Sequence, residues 1–191
     1  NLYQEQGFNL INKTLHKDLN IFFIERLKNY MKEKNIRPDI IEASVSSYGM
    51  DSIIKAYKKA LTFNKLIHKE IGQNVIHCYK RASNILDQEI KDQELILSNN
   101  IDPGLFKNDF EKNLYNKIHE LRKYFTGVGK DENFELSLQN LADSKTIISD
   151  FFDNVMVKDE DKSIEKNRLE LLKMLCKTFN NYLNFSKIEN V

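Results

Sequence analysis

Apolar residues recur three and four positions apart along nearly the whole chain, and this spacing most constrains what it can fold into. Leu15, Leu19, Phe22, Phe23, Leu27, Tyr30 and Met31 fall on one such stripe. Phe110, Leu114, Ile118, Leu121 and Phe125 form another, and Phe134, Leu138 and Leu141 a third. Ile164, Leu171 or Leu172, Leu175, Phe179 and Tyr182 close the chain in the same rhythm. A period near 3.6 lines one face of a helix, whereas a strand would alternate every second residue. Helix breakers are scarce, with 2 Pro and 6 Gly in 191 residues, so long helices run uninterrupted and a turn-rich β fold is disfavoured. The pattern predicts an all-α bundle of seven or eight helices.

The interruptions place the helix ends. Asn35 to Asp39 stops the first helix, because Pro38 forces the residue before it out of helical geometry. A short helix through Ile40, Ile41, Ala43 and Val45 ends near Gly49. Asp51 or Ser52 caps the next, Ile53 to Ile71, with Ile54, Tyr57, Leu61 and Leu66 or Ile67 as its buried stripe. Its other face carries Lys55, Lys58, Lys59, Lys65 and Lys69, a run that reads first as solvated surface. Gly72 is expected to break the pattern before a helix over Asn74–Leu86. An acidic stretch (Asp87, Glu89, Asp92, Glu94) leads to a turn at Asp102-Pro103-Gly104. That turn suggests a hinge between an N-terminal helical half, 1–101, and a C-terminal bundle, 102–191, the two forming one compact unit. Residues 1–14 resemble the tail of an element cut from its context, and the opening Asn1 suggests a fragment of something longer. Gly127 and Gly129 end one helix, Asp131 or Asn133 starts the next, and a kink is expected near Ser144. Asp161 or Ser163 is the cap candidate for the last helix.

Charge and chemistry narrow the function by exclusion. The 29 basic and 28 acidic residues leave a net charge of +1, so any nucleic-acid surface must come from local segregation of charge. Only Arg26, Arg37, Arg81, Arg122 and Arg168 are arginine, the residue that forks onto phosphates and stacks on bases. Cys78 and Cys176 fit no disulfide or metal motif, no signal peptide is visible, and no apolar run approaches a membrane span; a reducing, cytoplasmic setting is expected. His68, His77, Cys78, His119 and Cys176 lack the converging spacing of a metal site. There is no nucleophile elbow, and Gly127-Val128-Gly129 lacks the continuation of a phosphate loop. No catalytic residue and no metal ligand is expected.

The stretch Phe151 to Leu172, FFDNVMVKDEDKSIEKNRLELL, sets an apolar turn against an acidic cluster (Asp159, Glu160, Asp161). After it comes a basic, amphipathic helix with Asn167 and Arg168 at its front and Leu169, Leu171 and Leu172 behind. Its pattern FFD-x-VMV-x-x-ED-x-x-x-x-x-NRL-x-LL resembles the C-terminal region of the β subunit of the bacterial two-subunit glycyl-tRNA synthetase. Lys80 to Leu86 resembles the KRV-x-NIL segment of that family, with Ala82 where the family usually has Val. Phe22, Phe23, Arg26 and Leu27, followed by Asp39 to Ala43, resemble it too, with Ser44 interrupting the usual apolar run. The likeness covers about residues 20–86 and 147–190.

The resemblance implies a helical anticodon-binding domain of the DALR type. It implies glycine tRNA as partner, and the α subunit as a second partner through the rest of the β subunit in an α2β2 ligase. The α subunit forms glycyl-adenylate from glycine and ATP, so ATP and Mg belong to the whole enzyme and no cofactor to this segment. An anticodon is an unpaired loop, read by basic groups on its phosphates and by stacking and amide contacts on its bases. Two places carry the right groups: Lys80, Arg81 and Asn84 on one helix, and Lys166, Asn167 and Arg168 on the last. Plainer roles compete, since Arg168 can bond Asp150 or Asp153 across the helix pair and Asn84 can end its helix. Tyr79, Tyr124 and Phe185 are candidate stacking platforms that would equally suit a core. Two alternatives stand beside this reading. One is a helical docking module for subunit or domain assembly without RNA contact. The other is the DALR-type domain of another synthetase, such as the arginyl enzyme, which the FFD-x-VMV and KR-x-x-NIL pair argues against.

Overall fold

The computed structural model describes residues 15–46, 53–93, 97, 100–127 and 133–189. Among them are eight α-helices and no strand: α1 (Leu15–Glu33), α2 (Pro38–Val45), α3 (Ile53–Leu66), α4 (Glu70–Gln93), α5 (Asp109–Gly127), α6 (Phe134–Ala142), α7 (Lys145–Asn154) and α8 (Lys162–Phe179). Single 3-10 turns lie at Pro103–Leu105 and Phe185–Lys187. The all-α expectation and its helix count hold. The expectations placed on residues 1–14, Gly49, Asp51, Ser52, Glu94, Gly129 and Asp131 lie outside the described residues.

Local chemistry explains the helix ends. At the end of α1, Asn35 takes φ 55°, the left-handed conformation that asparagine tolerates. The amide of Asn35 then donates to the Lys32 carbonyl at 2.9 Å and that of Ile36 to Met31 at 3.2 Å, which is a Schellman closure. The motif brings Ile36 onto Met31, and both are buried. Pro38 opens α2, with Arg37 extended (φ −56°, ψ 140°) before it. Asn108 and Glu111 form a reciprocal capping box on α5: the Glu111 amide donates to Asn108 Oδ1 at 3.1 Å, and the Asn108 amide to Glu111 Oε2 at 3.2 Å. Asn133 caps α6, and Asp161 caps α8 through the Ser163 amide at 2.8 Å.

The centre of the molecule is α8. It packs on α4 and α5, and the Pro103–Leu105 turn covers a further side. Leu169, Leu171, Leu172, Leu175 and Phe179 are all buried, but so are Glu165, Asn167, Arg168, Glu170 and Thr178. The amphipathic helix expected here, with a polar front facing outward, is therefore corrected to a helix buried around most of its circumference. Its polar residues face neighbouring elements instead of water. Phe63, Tyr79, Phe179, Tyr182 and Phe185 interleave their rings beside its C-terminal end. Tyr79 and Phe185 are thus core residues, not stacking platforms, while Tyr124 is half-buried with its hydroxyl 3.3 Å from Ser137 Oγ.

Four further expectations change. On α3 the buried positions are Ala56, Ala60, Phe63 and Leu66, while Ile54 is 67% exposed. The small alanines let α3 lie close to its neighbours, so the inward face is rotated from the one its largest residues suggest. Helix α4 begins at Glu70, with Gly72 inside its first turns. A Cβ at Gly72 would stand 2.3 Å from the Leu66 carbonyl oxygen, so glycine is needed for close approach and not as a breaker. On α1, Leu19, Phe22, Phe23 and Tyr30 remain exposed and only Met31 of the expected stripe is fully buried. The kink near Ser144 is a complete break between α6 and α7. No helix among the described residues is long and apolar enough to cross a membrane.

Candidate nucleic-acid interface

The connection from α7 to α8, residues 155–161, joins the two places nominated for RNA. Apolar Val155 and Val157 plug it into the core, while Met156 points outward, 79% exposed. Its polar groups are gripped from two helices, α4 and α8. From α4, Glu89 accepts an ion pair from Lys158 at 3.1 Å, and Arg81 Nη2 meets Asp153 Oδ1 at 2.9 Å at the end of α7. From α8, Arg168 Nη1 donates to the Met156 carbonyl at 2.9 Å and to Asp159 Oδ2 at 2.8 Å. Arg168 Nε reaches Glu111 Oε1 of α5 at 2.8 Å.

These contacts decide what each nominated residue can do. The Arg168 side chain is 7% exposed and Glu111 1% exposed, so this is a buried ion pair. Glu111 spends its other oxygen on the amides of Lys107 and Asn108 at the start of α5. Asp159 accepts the Asp161 amide through its second oxygen; that bond, then Arg168, hold its carboxyl below the usual range. Asn167 is equally committed. Its Oδ1 accepts from the Asp102 amide at 2.8 Å, and its Nδ2 donates to the Asp102 carbonyl at 3.0 Å. That two-point contact fastens the proposed hinge at Asp102 onto α8. Asn167 and Arg168 therefore hold α8, α5 and the α7–α8 connection together, and both are withdrawn as RNA contacts. The partners of Arg168 are Glu111 and Asp159, not Asp150 or Asp153 as expected.

The other place stays at the surface. Arg81 lies over the Phe152 ring, 4.6 Å from its centroid, and pairs with an exposed carboxylate. Its side chain is 35% exposed, and stacking on Phe152 pre-orients the guanidinium. Asn84 is exposed within α4 and does not end it; Lys80 is half-buried, as is Lys166 on α8. On α3, Lys59 is not part of a solvated face: its Nζ donates to the Asn181 carbonyl at 2.9 Å over the Tyr182 ring, and burial lowers its pKa to about 8.

Nothing in the described residues resembles a reaction centre. No group of three or more histidine, cysteine, aspartate or glutamate side chains converges as a metal site would. Burial pushes both Cys78 and Cys176 up to about 12, which leaves them as thiols and poor nucleophiles at neutral pH. Residues that the sequence did not nominate for RNA lie on α5 and just ahead of it. Phe106, Tyr115 and His119 line up their rings there, beside Lys107, Lys112 and Asn116.

Comparison with known proteins fits this surface into a family. The family model of the DALR anticodon binding domain matches residues 75–191. The glycine--tRNA ligase beta subunit of Sulfurihydrogenibium sp. (strain YO3AOP1) is 33% identical over 167 residues, 87% of this chain and 24% of that protein. That of Clostridioides difficile (strain 630) is 30% identical over 167 residues, 87% of this chain and 23% of that protein. That of Persephonella marina (strain DSM 14350 / EX-H1) is 33% identical over 169 residues, 87% and 23% respectively. The chain thus spans about a quarter of the length of the curated relatives it matches.

Proposed function

The chain belongs to the DALR anticodon-binding family, and from that premise we propose that it docks the anticodon loop of glycine tRNA as part of a glycine–tRNA ligase β subunit. The observation that carries this reading is the coincidence of two matches: the family over 75–191, and β subunits of one ligase over 87% of the chain. The role is to hold tRNA while chemistry proceeds elsewhere. ATP, magnesium and the aminoacylation step belong to the rest of an α2β2 enzyme, whose α subunit this chain reaches through the remainder of its own subunit, in the cytoplasm. Such a contact raises the rate by fixing the acceptor end, not by touching the reacting atoms.

Lys80, Arg81, Asn84 and Lys166 are the proposed basic rim. Arg81 starts from an exposed ion pair that a phosphate can displace at small cost, because surface pairs of this kind are worth roughly 0–1 kcal/mol. Asn167 and Arg168 serve indirectly by keeping the helices in register. The test is titration of the chain with a glycine-anticodon stem-loop at increasing salt. Binding is expected to weaken steeply with ionic strength and to exceed binding to a loop with a different anticodon. Equal affinity for both loops would reduce the role to electrostatic attachment, and no binding would remove it.

A docking role has one observation of its own. Ile21, Phe22 and Phe23 on α1 are 53%, 51% and 44% exposed, a run of large apolar side chains that suits contact with protein. It lies outside the family match and adds to the RNA reading without competing for the same residues.

A further inference from the structure

The surface of α5 carries a feature that neither nominated place has: an open row of rings flanked by cations. Phe106 precedes the helix, and Tyr115 and His119 sit four apart on one of its faces, so their rings meet along the axis at inclined angles, 60° for Phe106 on Tyr115 and 59° for Tyr115 on His119. The Phe106 and Tyr115 centroids are 5.5 Å apart, and those of Tyr115 and His119 4.3 Å apart. Phe106 and Tyr115 are half-buried and His119 is exposed, so the row is anchored on the core at one end and open to solvent at the other. It borders a groove of about 400 Å³ lined by Lys107, Lys112 and Asn116 among others. That size lies within the range of roughly 300–1,000 Å³ usual for sites that bury a small planar ligand.

We infer that this groove is where the chain stacks an unpaired base of its RNA, with Tyr115 as the platform, His119 packed against that ring from outside the groove, and Lys112 on the adjoining phosphate. The inference rests on the anticodon-binding reading and adds the location and the mode of contact. Aromatic rings at a protein surface usually turn inward, and bases splayed from a loop need them turned outward beside positive charge. Lys112 is exposed and enters no ion pair among the described residues. Asn116, next to Tyr115 on the same helix, offers an amide that donates and accepts at once, as a base edge requires. Asp109 on the same rim sets a limit, since it repels a phosphate that runs toward the N-terminus of α5. Lys107 also acts on Asp159, whose carboxyl it helps keep ionised, so Lys112 is the cation assigned to RNA.

The site also explains what Arg168 is for. By pairing with Glu111 it fixes the first turn of α5, and so the angle at which the row of rings faces solvent. Arg168 is a positioning residue, two steps removed from the bound base.

The experiment uses this chain and a glycine-anticodon stem-loop carrying 2-aminopurine at one loop position at a time. Stacking on Tyr115 is expected to quench the fluorophore at one position or two neighbouring ones. Tyr115→Ala is expected to abolish that quench and weaken binding about five- to a hundredfold, while Tyr115→Phe keeps both. His119→Ala should lose part of the quench. Lys112→Gln should leave the quench but lower the salt slope by about 0.7. Because Tyr115 is half-buried, exposed His119 and Lys112 decide the matter if Tyr115→Ala fails to fold. Parent-like affinity, quench and salt slope in both His119→Ala and Lys112→Gln would overturn the platform while leaving anticodon binding intact. A parent chain that binds no loop would overturn both.

Discussion

Arg168 holds the connection between α7 and α8, and Arg81 holds the last turn of α7 just before it, yet they do different work. Arg168 is 7% exposed and holds two carboxylates and a carbonyl; Arg81 is 35% exposed and holds one carboxylate that is itself 62% exposed. A buried charge must be fully compensated, because water cannot replace a missing partner. An exposed charge can exchange its partner for water, salt or a phosphate at little cost. Burial, not residue type, therefore separates the arginine that builds the fold from the one proposed to meet RNA.

The largest effect is expected from Arg168→Ala. It strands Glu111 inside the protein, and losing one partner of a buried pair costs about 3–5 kcal/mol. Urea unfolding followed by circular dichroism measures it; a loss below 1 kcal/mol would erase the contrast with Arg81. Next comes Asn167→Ala, which leaves the amide and carbonyl of Asp102 without their partner. The expected loss is about 1–3 kcal/mol by the same measurement.

Acid sharpens the comparison without truncating a side chain other than Asp159. That carboxyl titrates below the usual range in the folded chain, held there first by the Asp161 amide and then by Arg168. A depressed carboxyl contributes stability that is complete above its unfolded pKa and disappears as pH falls through the lower folded value. The stability difference between the parent and Asp159→Asn should accordingly be constant near neutrality and shrink in acid below the ordinary carboxylate range. A difference that grows in acid would contradict the assigned sign. The smallest stability effect belongs to Arg81→Ala, about 1 kcal/mol or less, for a surface pair and one ring contact. The same substitution should nonetheless weaken stem-loop binding and flatten its salt dependence.

Much of the fold was legible from spacing. The stripes Leu114–Ile118–Leu121 and Leu138–Leu141 are buried as their period requires, and Pro38 and Asn133 open helices where local chemistry puts them. The site was less legible. Asn167 and Arg168 looked like surface groups because polar residues at a helix front usually meet water. Only the fold shows the Asp102 backbone and Glu111, 65 and 57 positions away in sequence, closing over them. The segment that makes the family visible, with its acids and its Asn-Arg pair, is a clasp holding helices together. Asp39 in the third such segment has the same kind of role, accepting from Arg37 and from the distant Glu189 amide. The rings of Phe106, Tyr115 and His119 carry no RNA signal in the sequence, because spacing alone cannot distinguish an outward stripe from an inward one.

The sequence by itself determined that this chain is helical, where most helices start and stop, and which family it belongs to. These depend on interactions within a few residues, or on a linear pattern that survives without coordinates. Which faces point inward, and so which cations are structural and which stay at the surface, was decided only by tertiary packing. Desolvation of a charged side chain is set by every element that closes around it, and those elements come from across the chain.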